Sequence, residues 1–483
     1  MASPGNGKEW IDVKRTHDLI VIGAGSAGLT AAGGCAQFGL KVALIEKGPM
    51  GGDCLNTGCV PSKALITAAR RAQAMRESAK YGIANVDPAI DFKAVHDHVQ
   101  AAIAAIAVDD SQERFEEEFG VEVFRGTAQM IDGSTIEVNG QRLKAPRICL
   151  ALGSKPFIPP VEGIGDVPYL TNETIFGLTE RPNHLAIMGG GPIGMEMAQS
   201  FRRLGSEVTV FERGTVFGKD DPEAVAVVKA KLEHEGVVMH ERTDVVKVSP
   251  VGGGVRIETD SGDPVEASHL LVATGRTCDF TGFGLENGGV EWSPRGIPVD
   301  ARRRTSNKRI YAIGDCRVGP RFTHASGYEG SLIVLQVALG LPSKADYKAL
   351  PWVTYSDPEL GHVGMTEKDA REKYGDKIAI TRQDFAGNDR ARAENDAHGF
   401  LKVIRKGKKI LGVTVVGPHA GELLLPWSLA IGGKANAFAI GGAIVPYPTR
   451  SDISKQAGFA VWEPTIFGNT AKRWAQFRAK YLL

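Results

Sequence analysis

Two stretches of the chain carry the same succession of apolar and polar positions. Residues 18–46 read DLIVIGAGSAGLTAAGGCAQFGLKVALIE, and residues 184–212 read HLAIMGGGPIGMEMAQSFRRLGSEVTVFE. Each opens on a short apolar run, which predicts a strand. A G-x-G-x-x-G turn follows, then an amphipathic helix, a glycine, and a second apolar strand that closes on a glutamate. In both copies the acid, Glu46 or Glu212, stands 23 positions beyond the first glycine, Gly23 or Gly189.

This is the strand–helix–strand pattern that binds dinucleotides. Gly23 and Gly189 suit the tight turn, Gly25 and Gly191 let a pyrophosphate approach the backbone, and Gly28 and Gly194 allow helix and strand to pack closely. The helix N-terminus would hold the phosphates, and Glu46 and Glu212 would accept ribose hydroxyl hydrogen bonds. A single such motif reads equally well as a glycine-rich turn. Two with matched acid spacing imply two dinucleotides, and one tightly held flavin with one exchangeable nicotinamide is the economical reading. Glu212 favours the free 2′-hydroxyl of NADH over the 2′-phosphate of NADPH, although Arg213 beside it would soften that repulsion and keeps NADP as the alternative.

Directly after the first unit comes GPMGGDCLNTGCVPSK, residues 48–63. Cys54 and Cys59 are five positions apart, about 7.5 Å of axial rise in a regular helix. A disulfide tolerates a Cα separation of only about 4.4–6.8 Å. A bonded pair therefore requires a distorted segment, which Asn56 and Gly58 permit. Pro61 suits the first turn of the helix predicted to follow, and a thiol at that helix start lies in a positive field. The pair reads as reactive. A zinc half-site and two buried thiols are the competing readings, but for zinc no further Cys or His clusters nearby, and no metal is expected. Cys35, Cys149, Cys278 and Cys316 read as structural.

The bulk of the sequence narrows the classes. At 483 residues the chain is long enough for two to four domains. A net charge of +1 removes the electrostatic case for nucleic acid. Six cysteines are too few for a secreted disulfide scaffold. The N-terminal MASPGNGKEWIDVKRTHD has no apolar core of a secretory signal, and no run approaches the roughly 18 apolar residues of a membrane span. A cytoplasmic protein is expected.

Taken in order, the motifs resemble the class I pyridine nucleotide–disulfide oxidoreductases, the family of lipoamide dehydrogenase, glutathione reductase and mercuric reductase. GGDCLNTGCVPSK is similar to the redox signature, ALGS (151–154) to the close of the first FAD segment, GGGPIGMEMA (189–198) and ATGR (273–276) to the NAD segment. RIYAIGD (309–315) resembles the second FAD motif, and WVTYSDPELGHVGMTE (352–367) the opening of the dimerisation domain. The implied fold is α/β, with two Rossmann-like domains and an α+β C-terminal domain. Residues 1–165 and 277–345 would form a split FAD domain, 166–276 the NAD(P) domain, and 346–483 the dimerisation domain with a helical tail.

The resemblance implies roles. Cys54 would be the interchange thiol, Cys59 the thiol next to the flavin, and Lys63 with Glu196 an ion pair near flavin N5. It adds Gly52, Lys63, Ala128, Gly153, Gly275, Gly314, Asp315 and Thr323 to the cofactor contacts. Electrons would run from NADH through FAD to the Cys54–Cys59 disulfide and on to a small-molecule or protein disulfide. A homodimer with a composite active site is implied.

Two features depart from the family. Where its members carry H-P-x-x-x-E near the C-terminus, this chain has VPYPTRSDIS (445–454), with Tyr447 in place of His and Asp452 in place of Glu. Proton transfer from an unperturbed Tyr to an ordinary thiolate is uphill by roughly 2 kcal/mol. A Tyr at this place marks mercuric reductases, but their C-terminal cysteine pair is missing, since no cysteine follows Cys316. A metal or quinone reductase is therefore the second reading and a flavin-bearing redox sensor the third. His324 and His419 are other proton-handling candidates. In the tail, Trp474, Phe477 and Tyr481 fall on one helix face among Lys472, Arg473, Arg478 and Lys480. Packing on the chain's own domain or on a dimer partner is expected there in preference to a membrane.

Overall fold

Both G-x-G-x-x-G units fold as the patterning predicts. The computed structural model describes residues 14–482, so the expectation drawn from the N-terminal stretch falls largely outside the described residues. The chain divides into two compact units. One runs up to Pro61 and adds Gln100–Lys155 and Arg276–Ala345; the other comprises Ser62–Val99, Pro156–Gly275 and everything from Asp346 onward.

In the first unit, strands Leu19–Ile22 and Val42–Glu46 lie side by side in a five-stranded sheet, joined by the helix Ser26–Gln37. Strands Ile148–Leu150 and Ile310–Ala312 extend the sheet on one side and Glu122–Arg125 on the other, all parallel. Side chains alternate between the faces, as strand geometry requires. Leu19, Val21 and Leu44 pack with Ala31, Cys35 and Ile333 of the covering helices. Ile20, Ile22 and Ile45 pack with Met130, Ile136 and Leu143 of a small antiparallel sheet. Coverage on both faces is why Leu19–Ile22 and the first four residues of Val42–Glu46 are all apolar.

The second unit repeats the plan around His184–Met188 and Glu207–Glu212, joined by the helix Pro192–Arg203 and flanked by Val238–Glu241 and His269–Val272 in a parallel four-stranded sheet. It also holds a five-stranded antiparallel sheet, in order Pro351–Thr354, Glu359–Gly364, Lys409–Gly417, Phe400–Lys406, Ala379–Asp384. One core of this sheet gathers Val403, Val413 and Val415 against Trp427, Ile453 and Ala457. The observed fold class is the α/β class with an α+β C-terminal part read from the sequence.

The glycine turns match in detail. Gly23 and Gly189 have φ of +104° and +112°, and a Cβ on either would lie 2.2 or 2.5 Å from the carbonyl oxygen of Ala151 or Ala273. A Cβ on Gly28 or Gly194 would strike the Gly23 or Gly189 carbonyl oxygen at 1.8 or 2.0 Å. Such overlap forces helix and strand apart. Gly28→Ala and Gly194→Ala should each lower stability by more than about 2 kcal/mol, whereas Gly165→Ala, with no atom within 4 Å of the added Cβ, should stay within about 0.5 kcal/mol. Denaturant unfolding of the three variants checks this.

Candidate active site

The cysteine segment is a broken helix. Gly52–Asn56 form one short helix, Thr57 ends it at φ −141°, and a second helix runs from Cys59 to Arg76. Gly58 fits in the break because a Cβ there would lie 2.8 Å from the Asp53 carbonyl oxygen. The Asn56 amide donates to the carbonyls of Met50 and Gly52, both at 2.9 Å, and secures the first helix. Pro61 is the third residue of the second helix, where its missing N–H costs nothing.

The break brings the two thiols together. No disulfide joins the two cysteines here, and the Cys54 thiol is hydrogen-bonded to Cys59. That bond, followed by burial, pushes the Cys54 thiol up, while a hydrogen bond with Thr323 opposes the shift. The Thr323 hydroxyl also lies 3.2 Å from Cys59 Sγ. Cys54, Thr323, Ser26, Gly51 and Asp110 line one cavity of about 210 Å³. The remaining cysteines are inert by burial: the Cys35 and Cys316 thiols are pushed up to about 12, and Cys149 and Cys278 are raised too.

The two dinucleotide turns have the same electrostatics. Glu46 accepts hydrogen bonds from the backbone N–H groups of Ala24 and Gly48, both at 2.6 Å. Glu212 accepts from Gly190 and Gly214, both at 2.7 Å. Each carboxylate is thereby fixed at the mouth of its glycine turn. The helices that follow start at Gly25 and Gly191 with no side-chain cap, whereas Ser111, Asp221 and Thr366 cap theirs. A Cβ on Gly25 would find its nearest atom at 3.9 Å, and one on Gly191 would find none within 4 Å. Uncapped N–H groups facing open space are what a pyrophosphate needs, so both turns fit their dinucleotides.

In the first unit Gly314 and Asp315 form a short turn after the strand Ile310–Ala312. Burial raises the Asp315 carboxyl, against the pull of Arg276. Ser154 donates to Asp315 at 3.2 Å, beside Gly153 in its left-handed turn. Gly52 lies at the start of the cysteine segment, and Ala128 is buried in the small antiparallel sheet. Gly275, at φ +134°, ends the strand region of the second unit.

Two contributors were not picked out from the sequence. Arg276 donates to Ser154 Oγ at 2.7 Å and pairs with Asp53, next to Cys54, and with Asp315 at 3.7 Å. Its signal was available as the last residue of ATGR. Glu329, fully buried, accepts from the Gly314 N–H at 2.8 Å and pairs with Arg317 and Arg303. A lone acid in the apolar helix Thr323–Val337 was the only hint.

In the second unit Lys63 and Glu196 form an ion pair at 2.9 Å. Glu196 is buried, so it is not a helix-surface acid. Its other oxygen accepts from the Tyr355 N–H at 2.9 Å, and the Lys63 ammonium lies 4.2 Å from the Tyr355 ring centre. Tyr447 is 79% exposed and donates to Asp389 at 3.2 Å, a hydrogen bond that raises its phenol above the ordinary value. A lowered phenol, which direct proton transfer would call for, is thus the opposite of what Asp389 produces. Asp452 begins the helix Asp452–Ile466 and accepts from Gln456 at 2.6 Å. His324 stacks on Phe322 and is exposed; His419 is exposed in a left-handed turn. Among the described residues no group of three metal-binding side chains occurs, and no helix is long and apolar enough to cross a membrane. The tail helix Asn469–Tyr481 forms as predicted but buries none of its residues, so the chain's own domain is not its cover.

The comparisons with known proteins match this architecture. Residues 17–330 match the pyridine nucleotide-disulphide oxidoreductases and residues 350–457 their dimerisation domain. The chain is 33% identical over 453 residues to a mercuric reductase of Streptomyces lividans, covering 91% of this chain and 95% of that one. It is 34% identical over 457 residues to a dihydrolipoyl dehydrogenase of Geobacillus stearothermophilus, with the same coverages. Among solved structures, the Cu(II) complex of the HOCl-induced flavoprotein disulfide reductase RclA from Escherichia coli superposes with a TM-score of 0.83 at 26% identity, covering 92% of this chain and all of that one. The chain belongs to the pyridine nucleotide-disulphide oxidoreductase family. It is an NAD(P)H-dependent flavoprotein reductase that uses FAD and forms a homodimer.

Thr323 touches both sulfurs, and a hydrogen bond to a charged group contributes about 1.5–3 kcal/mol. Thr323→Val should slow the oxidative half-reaction about tenfold or more while sparing flavin reduction by NADH, and Thr323→Ser should restore it. Stopped-flow measurement of the two half-reactions distinguishes the outcomes.

Proposed function

We propose that the protein is an NADH-dependent reductase of a disulfide other than glutathione disulfide, and that Cys54 meets the acceptor. The cavity beside Cys54 carries this reading. Cys54 is in its wall and Cys59 is not, so an acceptor seated there would face Cys54. No lysine or arginine lines it, and its one ionisable group besides the thiol is Asp110. A disulfide bearing several carboxylates finds no counter-charge in such a cavity.

When bound, the FAD–nicotinamide couple supplies the two electrons that reduce the Cys54–Cys59 disulfide. The Cys54 thiolate then attacks the acceptor disulfide, forms a mixed disulfide and expels one thiol. Cys59 attacks Cys54 Sγ, expels the second thiol and re-forms the protein disulfide. Each departing thiolate takes up one proton. Thr323 steadies both sulfurs, and Lys63, paired with Glu196, would supply a fixed cation to bound flavin. Gly23, Gly25, Gly28 and Glu46 would hold FAD together with Gly314 and Asp315. Gly189, Gly191, Gly194 and Glu212 would hold the nicotinamide dinucleotide. We assign the FAD domain to residues 1–165 and 277–345, the NAD domain to 166–276 and the dimerisation domain to 346–483. Tyr447 and Asp452 would reach the thiols of the partner subunit and complete a composite site. A cytoplasmic location follows from the need for reduced nicotinamide.

The preference for NADH rests on Glu212 and Arg213. Glu212 is fixed at the turn by two N–H groups, and Arg213 is paired with Asp244 at 2.7 Å. A 2′-phosphate would meet the acid without a free guanidinium. A kcat/KM for NADH at least about tenfold above that for NADPH is expected, corresponding to about 1.4 kcal/mol. Asp244→Asn, which releases Arg213, should narrow the ratio.

A metal or quinone reductase working from the same thiols is the second reading. The mercuric reductases among the relatives and the Cu(II) complex of the structural neighbour favour it. Turnover assays with linear disulfides, lipoamide, Hg(II) and quinones decide between the readings. Cys54→Ser and Cys59→Ser should each lose more than about a thousandfold of disulfide turnover while NADH still reduces the flavin. Undiminished turnover in either serine variant would sink the thiol route, and negligible wild-type turnover with every acceptor would leave a redox sensor.

Tyr447 has its own pH signature. A phenol raised above 10 stays protonated through neutral pH and donates a hydrogen bond without ionising. Tyr447→Phe should therefore lower the oxidative half-reaction by a constant factor between about pH 6 and 9. A pH–rate profile whose shape changes on substitution would contradict this.

A further inference from the structure

The tail helix Asn469–Tyr481 has no part in the chemistry above. It lies beyond residue 457, where the match to the dimerisation domain ends, and none of its residues is buried. Trp474, Phe477 and Tyr481 are 58%, 47% and 61% exposed. They stack along one face, with ring centroids 5.7 and 5.1 Å apart. At about 100° per residue, Arg473 and Lys480 flank this aromatic row on one side and Arg478 on the other. Lys472 lies on the opposite side of the helix, which contains no acid. A chain with a net charge of only +1 thus concentrates positive charge on this one exposed apolar face.

We propose that this helix lies flat on an anionic lipid surface and tethers the enzyme to it. Three features argue for that occupant. The charge complements a layer of phosphate headgroups, which a second copy of the same cationic helix would not. The side-chain order is also that of an interfacial helix: Trp and Tyr with an apolar body and a polar tip sit in the centre. Arg and Lys stems on both flanks are long enough to lift their charges to the headgroups. Finally, 13 residues give a length of about 20 Å, too short to cross a core of about 30 Å, so the helix can rest on a bilayer but not span it. The preference drawn from the sequence is for the chain's own domain or a dimer partner: the own domain offers the helix no cover, and the matching positive charge disfavours a second copy of the helix. The inference is independent of the acceptor.

The test uses the full-length holoenzyme sedimented with vesicles of phosphatidylcholine alone or mixed with phosphatidylglycerol. At low salt the bound fraction should be at least about tenfold larger on the anionic vesicles and should fall as salt is raised. The double variant Arg473→Glu/Arg478→Glu should abolish the difference, and Trp474→Ser/Phe477→Ser should weaken it. NADH-driven turnover in solution should be unchanged in both, which shows that they fold. Equal binding to the two vesicle types would overturn the proposal, as would charge-reversed protein that still binds. So would wild-type protein that ignores vesicles while the tail variants dissociate the dimer in sedimentation equilibrium, since the helix would then belong to the partner subunit.

Discussion

Two sulfurs five residues apart cannot meet along an unbroken helix, and the redox route proposed for this enzyme depends on their meeting. The interruption at Thr57 and Gly58 solves that problem locally. Gly58 admits the close approach of the Asp53 carbonyl, and Asn56 ties the short first helix to Met50 and Gly52. The second helix then begins at Cys59 itself, so one thiol of the pair lies at a helix N-terminus, where unsatisfied N–H groups favour negative charge.

The protein places negative groups with equal care. Glu46 and Glu212 are each held by two backbone N–H groups at the mouth of a glycine turn. The helix starts beside them are left without side-chain caps. A capping Ser or Asp would satisfy those N–H groups and stabilise the free protein by about 1 kcal/mol. Leaving them bare keeps donors available for phosphate. The buried Arg303–Glu329–Arg317 cluster serves a different end, since Glu329 holds the Gly314 N–H and with it the turn that presents Asp315.

Much of this was legible because its signals are local. The apolar runs, the G-x-G-x-x-G turns and the acid spacing each reflect sterics or hydrogen bonding within about 30 residues, and the same holds for the helix break. The pairing of Lys63 with Glu196 spans 133 residues and was reachable only through the family resemblance. The Arg276 bridge between Asp53 and Asp315 joins distant segments; ATGR marks the arginine, but nothing local marks its partners. The environment of Tyr447 was equally hidden: Asp389 lies 58 positions away, and it pushes the phenol opposite to the direction that direct proton transfer requires.

What the sequence determined by itself was therefore the secondary structure of the two dinucleotide units, the distortion between Cys54 and Cys59 and the amphipathic tail helix. These follow from periodicity and from backbone sterics at glycine, which act over a few residues. Tertiary structure alone decided which acid meets which base, that Asp110 and not a cation stands in the cavity beside Cys54, and that the tail's aromatic face finds no cover on its own chain. Burial and electrostatic partnership depend on distances between segments far apart in the chain, and those distances exist only once the sheets have assembled.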